Sequence, residues 1–203
     1  MNTLLPLIAS LATSLSLITL PQTSFASDTA GQHNAASWCQ PQAGIPAYLQ
    51  SQLPQARRSG QGEYRWWGIA LYQACLWSPG ALAEPASWPS FALELRYSRE
   101  LQGKRIAEAS IKEIKQLGLG QPQQHQQWLE KMIAIFPDVK KDEQLSALYL
   151  PGKGLQFYRN QQKLALIDDP EFAQAFLSIW LDPRTSAPDL RQRLLGISAK
   201  QGA

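Results

Sequence analysis

The stretch GEYRWWGIALYQACLW, from Gly62 to Trp77, decides how this chain folds. Apolar or aromatic side chains occupy most of its positions, which is typical of a strand buried on both faces of a sheet. Gly68 in its interior predicts a bulge or a bend. Arg65 stands near its beginning, where removing a guanidinium from water is costly unless an anion meets it. The stretch therefore predicts a buried strand, and Arg65 predicts either an internal carboxylate partner or an anion that arrives from outside.

The rest of the chain predicts one sheet and several helices. Phe91, Leu93, Leu95 and Tyr97 alternate with other residues, which is the pattern of a half-buried strand. Two amphipathic helices, three short strands and two further helices are expected after it, over residues 103–118, 126–136, 144–150, 154–160, 163–167, 168–181 and 186–196. Strands and helices do not alternate as in a βαβ protein. The order predicts an α+β fold with an antiparallel sheet packed by helices.

The beginning of the chain predicts export. An apolar run over residues 4–20 is followed by Ser24 and Ala26, which suit the −3 and −1 positions of a signal-peptidase site. We expect a signal peptide over 1–26, a mature chain from Ser27 and a periplasmic location, with a retained membrane anchor as the alternative. An N-terminal arm over 27–58, a domain over 59–197 and a short tail over 198–203 are expected to follow, without a further membrane span.

Composition indicates a well-packed globular domain and excludes some classes of partner. Hydrophobic residues make up 44% of the chain, which is enough for a large core, and the net charge of +3 is spread along it. This pattern gives no basic stripe for nucleic acid.

His33 and His125 lie far apart in polar surroundings, so we expect surface histidines, no metal site and no cofactor. Four tryptophans are expected in the core: Trp66, Trp67, Trp77 and Trp180.

Two cysteines, Cys39 and Cys75, would reach an oxidising compartment if the chain is exported. A disulfide between them is then permitted. A free Cys75 packed as a small apolar side chain inside its strand is the alternative. Spacing along the sequence does not decide between the two, because it does not give the distance between the Cα atoms.

Four segments between Gly60 and Gly196 share features with a known family: GQGEYRWWGIALYQACLW, LRYSRELQGKRIAEASIKEI, FPDVKKDEQLSALYLPGKGLQFYRN and DDPEFAQAFLSIWLDPRTSAPDLRQRLLG. In this order they resemble the chalcone isomerase-like family, in its bacterial exported branch. The resemblance implies an open-faced β-sandwich, an antiparallel sheet packed by helices.

The resemblance also implies a binding cleft. Members carry an arginine just after a Gly-x-Gly strand start, which Arg65 matches with an offset of one position. Tyr72 stands where the fatty-acid-binding relatives have tyrosine and the plant isomerases have threonine. The family thus implies a binder of a small amphipathic anion such as a fatty acid, with Arg65, Tyr72, Tyr97 and Tyr149 in the cleft. Arg65 and Tyr72 are an odd number of residues apart, so an irregularity at Gly68 is needed to bring them together.

The plant enzymes use a tyrosine and an asparagine from the middle of the chain, and neither residue type occurs between Tyr97 and Tyr149. We therefore expect no catalytic residues and no chalcone cyclisation. An isomerase or lyase acting on a phenolic or enone substrate is the alternative function. A third interpretation is a structural protein whose cleft is filled.

Arg65 also has a structural alternative. It would then pair with Glu63, Glu94 or Asp168 and hold the fold rather than a ligand.

Overall fold

A computed structural model describes residues 38–40 and 44–197 of the chain. The expected signal peptide, His33 and the C-terminal tail lie outside these residues. The elements are β1 (Arg57–Trp66), β2 (Ile69–Ser78), β3 (Phe91–Tyr97), β4 (Gln144–Leu150), β5 (Gly154–Arg159) and β6 (Gln162–Ile167), with α1 (Ala47–Gln50), α2 (Gly103–Gln116), α3 (Pro122–Ile135), α4 (Pro170–Leu181), α5 (Pro188–Leu195) and a 3₁₀ turn (Pro85–Ser87). No helix among the described residues has the length and apolarity to cross a membrane.

The six strands form one antiparallel sheet in the order of the chain, β1 to β6. This confirms the predicted α+β class. The stretch Gly62–Trp77 is not one long strand, however. It turns back at Trp67 and Gly68, whose φ angles are 50° and 78°, so that β1 and β2 form a hairpin with a two-residue turn. Gly68 therefore marks a full chain reversal where the sequence predicted a bulge or a bend within one strand.

One face of the sheet, here called the inner face, is covered by helices. The alternating residues of β3, Phe91, Leu93, Leu95 and Tyr97, all belong to the main core, as predicted. The strand is not half-buried as expected, however, because Ala92 and Glu94 between them are buried as well. Helix α4 packs on β5 and α5 packs on β1, while α2 lies against α3 and α4. Gly118 follows α2 with a φ of 71°, so the helix ends close to the end of the predicted range 103–118.

The Gly-x-Gly start of the hairpin has a packing role. A Cβ atom on Gly60 would lie 1.9 Å from the carbonyl oxygen of Arg193, and one on Gly62 would lie 2.7 Å from Leu190 Cδ1. Both contacts are with α5. The glycines therefore let the last helix approach the edge strand closely, independently of any ligand.

The other face, here called the outer face, is covered by the N-terminal segment, residues 38–40 and 44–56. Leu49, Leu53 and Ala56 of this segment are buried against Trp77 and other residues of the sheet in a second apolar cluster. The expected arm is thus a second layer of the fold in the part that the structure describes.

A disulfide joins this segment to the sheet. Cys39 and Cys75 are bonded, with their Cα atoms 5.9 Å apart. The alternative of a free Cys75 is excluded, and the bond fixes the beginning of the described chain on the second strand.

Candidate functional site

A cavity of about 360 Å³ lies between the inner face of the sheet and helices α2 and α4. Its floor consists of side chains of β1 to β5. Its roof consists of residues of the two helices. The apolar part of the lining is Trp66, Leu71, Leu93, Leu95, Leu101, Ile106, Ala109, Phe136, Leu145, Ala147, Phe157, Phe176, Ile179, Trp180 and Ala187. Volumes of 300–1,000 Å³ with mostly apolar walls are usual for small-molecule sites.

Three tyrosines contribute hydroxyl groups to this cavity. Tyr64 and Tyr72 are cross-strand partners of the hairpin, with their rings stacked at 5.2 Å. Tyr97 of β3 meets Tyr72 edge-on, with ring centroids 6.1 Å apart. Trp180 donates its indole N–H to the Tyr72 hydroxyl at 3.0 Å, which leaves the Tyr72 proton free to donate. In the described part of the chain, no group hydrogen-bonds to the Tyr97 hydroxyl.

The environment keeps these hydroxyls protonated. Burial raises the pKa of Tyr72 and Tyr97 well above the usual tyrosine range. Burial, followed by the negative charge of Glu113, also raises the pKa of Tyr64. At neutral pH all three tyrosines are therefore neutral hydrogen-bond donors, and none of them is poised to act as a general base.

Helix α2 places charged side chains at the mouth of the cavity. Arg105 and Lys112 are exposed residues of the lining, and Glu113 is a half-buried one. Ser186 donates a hydrogen bond to the Glu113 carboxylate at 2.6 Å. The mouth therefore presents two cations and one carboxylate, while the far end of the cavity is closed by buried aromatic rings.

Arg65 does not lie in this cavity. Its side chain is 57% exposed, and its guanidinium donates to Glu63 at 2.5 Å and to the carbonyl of Gly68 at 2.9 Å. Tyr72 pairs with Tyr64, and after a register shift Arg65 pairs with Ala70, so the irregularity does not bring Arg65 and Tyr72 together. The expectation that Arg65 heads the cleft is therefore corrected. Arg65 pairs with Glu63 of the same chain, as the structural alternative predicted, and this ion pair lies at the surface.

Two of the four predicted site residues line the cavity and two do not. Tyr72 and Tyr97 lie together on the cavity wall. Tyr149 is buried on the same face but packs against Trp88 and Phe91, away from the cavity lining, so its placement in the cleft is corrected as well.

Two of the four tryptophans that were expected in the core lie there. Trp77 and Trp180 are buried, as expected. Trp66 and Trp67 are 58% and 85% exposed at the hairpin turn, which corrects their assignment to the core. The chain reversal explains the difference, because it carries both side chains past the edge of the helical layer.

The sequence analysis missed Tyr64, Arg105, Lys112 and Glu113. Tyr64 occupies the second position after the Gly-x-Gly start, one residue before the arginine that the resemblance selected. The charged residues follow helical spacing on α2, at positions 105, 112 and 113, beside apolar Ile106 and Ala109. That spacing shows a shared helix face, but only the packing of α2 shows that this face meets a cavity.

The outer face contains a buried acid. Glu94 is 1% exposed, accepts hydrogen bonds from the Tyr48 hydroxyl at 2.5 Å and the Trp77 indole at 2.6 Å, and has the Ser146 hydroxyl beside it. Burial raises the pKa of Glu94, although these hydrogen bonds oppose the shift. All of its partners belong to the sheet or the N-terminal segment, so this cluster ties the two layers together.

The described residues contain no group of three His, Cys, Asp or Glu side chains placed to hold a metal ion. His125 is half-buried rather than fully solvated, with Nε2 2.7 Å from the carbonyl oxygen of Leu119 and its ring edge-on to Trp128. It packs where helix α3 begins and does not line the cavity.

Comparison with known proteins identifies the family. The model of the family described as chalcone isomerase-like matches residues 60–196. The chain belongs to the chalcone isomerase-like family. An uncharacterized protein of Haemophilus influenzae is 34% identical over 137 residues, an alignment that covers 68% of this chain and 66% of that protein, just under two thirds of its length.

A solved structure shares the fold of this family member. The crystal structure of the Arabidopsis thaliana fatty-acid binding protein superposes with a TM-score of 0.55 at 10% identity, covering 70% of this chain and 87% of the plant chain. At this identity the likeness shows a common architecture. It confirms the open sheet packed by helices that the sequence predicted.

Proposed function

We propose that this chalcone isomerase-like protein is an exported, non-catalytic binding protein for a small amphipathic anion such as a fatty acid. The observation that carries the proposal is the cavity of about 360 Å³, apolar along most of its wall, with hydroxyl donors inside and cations at its mouth. The Arabidopsis relative of the same fold is a fatty-acid binding protein, which supports the choice of ligand class.

The tail of the ligand would lie deep in the cavity, among Phe136, Phe157 and Phe176. These rings are buried and pack edge-on against one another. Each methylene moved from water into such an environment contributes about 0.8 kcal/mol. The aliphatic tail would therefore supply most of the affinity.

The head group would stay at the mouth. Moving a carboxylate to the closed end would remove it from water without a cation to compensate. At the mouth, Arg105 and Lys112 supply positive charge, and the Tyr64 and Tyr72 hydroxyls inside the cavity can donate hydrogen bonds. The Glu113 carboxylate opposes an anion there, so the site holds both attractive and repulsive charges.

The disulfide supports export. A bond between Cys39 and Cys75 persists in an oxidising compartment such as the periplasm and is rare in the cytosol. It agrees with the signal peptide expected over residues 1–26. A mass measurement on protein recovered from the periplasm should give an N-terminus near Ser27, and a chain that keeps Met1 would contradict the export proposal.

Isomerase activity is the competing function. A cyclisation would need a group that steadies the phenolate nucleophile and donors at the developing enolate. Tyr72 and Tyr97 could donate, but Arg65 is directed away from them. We expect no turnover of a 2′-hydroxychalcone above the spontaneous rate, and saturable turnover that is lost in Tyr72→Phe would favour the enzyme.

Calorimetric titration with palmitate at neutral pH tests the binding proposal. Arg105→Gln and Lys112→Gln should each weaken binding about two- to fivefold, because exposed charge pairs contribute little each. Glu113→Gln should strengthen it by a similar factor. Lys115→Gln, on the same helix outside the cavity lining, is the matched control and should change nothing. Absence of saturable palmitate binding by the wild-type protein would refute a fatty acid as ligand.

A further inference from the structure

The tip of the β1–β2 hairpin, residues 65–69, is the most apolar exposed feature of the described chain. Trp66, Trp67 and Ile69 are all exposed there, and the two indole rings meet edge-on with centroids 6.4 Å apart. The other exposed large apolar side chains among the described residues are Ile133 on α3, Leu164 on β6 and Ile197 after α5, none of which belongs to the hairpin. The tip therefore concentrates apolar surface that the fold leaves in water.

Trp67 occupies a backbone position that does not suit it. Its φ of 50° is in the left-handed region, and with Gly68 it forms a two-residue hairpin turn. Asn, Asp and Gly are favoured there, whereas a bulky side chain is disfavoured. With 85% of its surface exposed, Trp67 gains no burial that would offset this cost. A strained and unburied residue of this kind indicates a function outside the fold.

The tip is continuous with the mouth of the cavity. Trp66 lines the cavity together with Arg105 and Lys112 of α2. Arg65 adds a third cation at the tip, where it pairs with Glu63, and Glu113 is the carboxylate of the cavity lining, so these five residues carry one more positive than negative charge. Tryptophan beside cationic side chains is the combination found where proteins meet the interface of a bilayer.

We propose that the hairpin tip docks on a lipid bilayer with anionic headgroups. Trp66, Trp67 and Ile69 enter the interfacial layer, while Arg105 and Lys112 face the headgroups. This arrangement turns the mouth of the cavity towards the membrane, so that an amphipathic molecule can pass between bilayer and cavity without crossing water. The proposal goes beyond binding in the cavity, because docking needs only the tip and the cations around it.

Quenching of tryptophan fluorescence by brominated phosphatidylglycerol in mixed vesicles tests the proposal on the full chain. All seven tryptophans lie among the described residues, and Trp66 and Trp67 are the two that are exposed. Bilayer quenching therefore reports insertion of the tip, even if another segment holds the chain on the vesicle. The wild-type protein should be quenched, and less so as salt shortens the screening length from about 10 Å at 0.1 M to about 3 Å at 1 M.

Two variants separate docking from folding. Trp67→Asn places a residue suited to the left-handed turn and should lower vesicle affinity about tenfold without lowering the melting temperature. Ile69→Thr should weaken docking less. Leu164→Thr is the matched control, because Leu164 is also an exposed strand residue, on β6 at the opposite edge of the sheet, and it should bind vesicles like the wild type.

Other outcomes would overturn the proposal. Wild-type fluorescence that vesicles do not quench, or equal quenching in Trp67→Asn, would refute docking by the tip. A dimer in sedimentation that Trp67→Asn dissociates would assign the tip to contact between copies of the chain. Palmitate binding in vesicle-free buffer should be unchanged in both variants, since neither residue lines the cavity. Failure of palmitate binding alone would therefore leave docking intact.

Discussion

The two faces of this sheet are formed by the same strands, but they differ in how the polar groups beneath their covering layers are hydrogen-bonded. On the outer face, the polar atoms of Glu94 and Tyr48 are matched to each other and to neighbouring donors, and a disulfide holds the covering segment in place. On the inner face, helices leave a cavity in which the Tyr97 hydroxyl has no hydrogen-bond partner among the described residues. The hydrogen-bonded cluster around Glu94 indicates a structural role for the outer face, although Trp38 Nε1 in its covering segment is buried without a hydrogen-bond partner. Free donors around a cavity indicate a binding role for the inner face.

Breaking the disulfide should lower stability more than any other change proposed here, and the cavity on the inner face should not be affected. The bond joins residues 36 apart, and closing a loop of this size in the unfolded chain corresponds to about 4 kcal/mol. Cys39→Ala with Cys75→Ala should therefore lower unfolding free energy by about that amount in urea titration. Palmitate affinity of the still-folded variant should stay unchanged, and a parallel loss of affinity would show that the two faces are coupled.

One substitution placed on each face gives the sharpest comparison. Ala92 is fully buried on the outer face between the cross-strand neighbours Trp77 and Leu148, so Ala92→Leu should overpack it and cost about 1–3 kcal/mol. Ala147 points into the cavity, where Ala147→Leu has room. It should leave stability unchanged and lower palmitate affinity at least tenfold. If Ala92→Leu and Ala147→Leu lower the free energy of unfolding equally, the cavity is closed in solution.

Much of this architecture could be predicted from the sequence, because local patterns determine it. The alternation of Phe91 to Tyr97 identified a strand and the residues that it sends to the main core, but not that its other face is buried too. Gly118 identified the end of a helix. These signals concern residues that are close in sequence, and tertiary packing did not override them.

The hairpin and the site were less predictable for a physical reason. A two-residue turn is normally recognised by Asn or Asp before Gly, and here a tryptophan takes that position. Missing the turn assigned Trp66 and Trp67 to the core. Arg65 was selected for a different reason, because the resemblance implies an arginine after the Gly-x-Gly start. Side chains alternate between faces, and it is the preceding residue, Tyr64, that lines the cavity. The charges of α2 could not be assigned, because their role depends on how the helix packs over the sheet.

Glu94 gives the outer face a pH dependence. Because burial raises its pKa in the folded state above the usual 4.5, folding favours the protonated acid. Its contribution to stability is complete below pH 4.5 and is lost as the pH rises through the folded-state pKa. Glu94→Gln imitates the protonated form, since the amide can donate to Tyr48 and accept from Trp77. The variant should match the wild-type melting temperature in acid and exceed it at higher pH, and parallel melting curves would show that Glu94 does not titrate differently on folding.

Removing a single tyrosine hydroxyl from each face should change stability least and should show most clearly how the two faces differ. Tyr48→Phe takes one donor from buried Glu94, and the cost should be about 1 kcal/mol, since Ser146 stays beside the carboxyl to donate in its place. Tyr97→Phe removes a hydroxyl that bonds to nothing in the described chain, so stability should change by less than about 0.5 kcal/mol. If that hydroxyl donates to a bound ligand, Tyr97→Phe should instead weaken palmitate binding severalfold, whereas Tyr48→Phe should leave it unchanged. A stability loss in Tyr97→Phe as large as that of Tyr48→Phe would mean that the cavity is part of the structural core and would remove the distinction between the two faces.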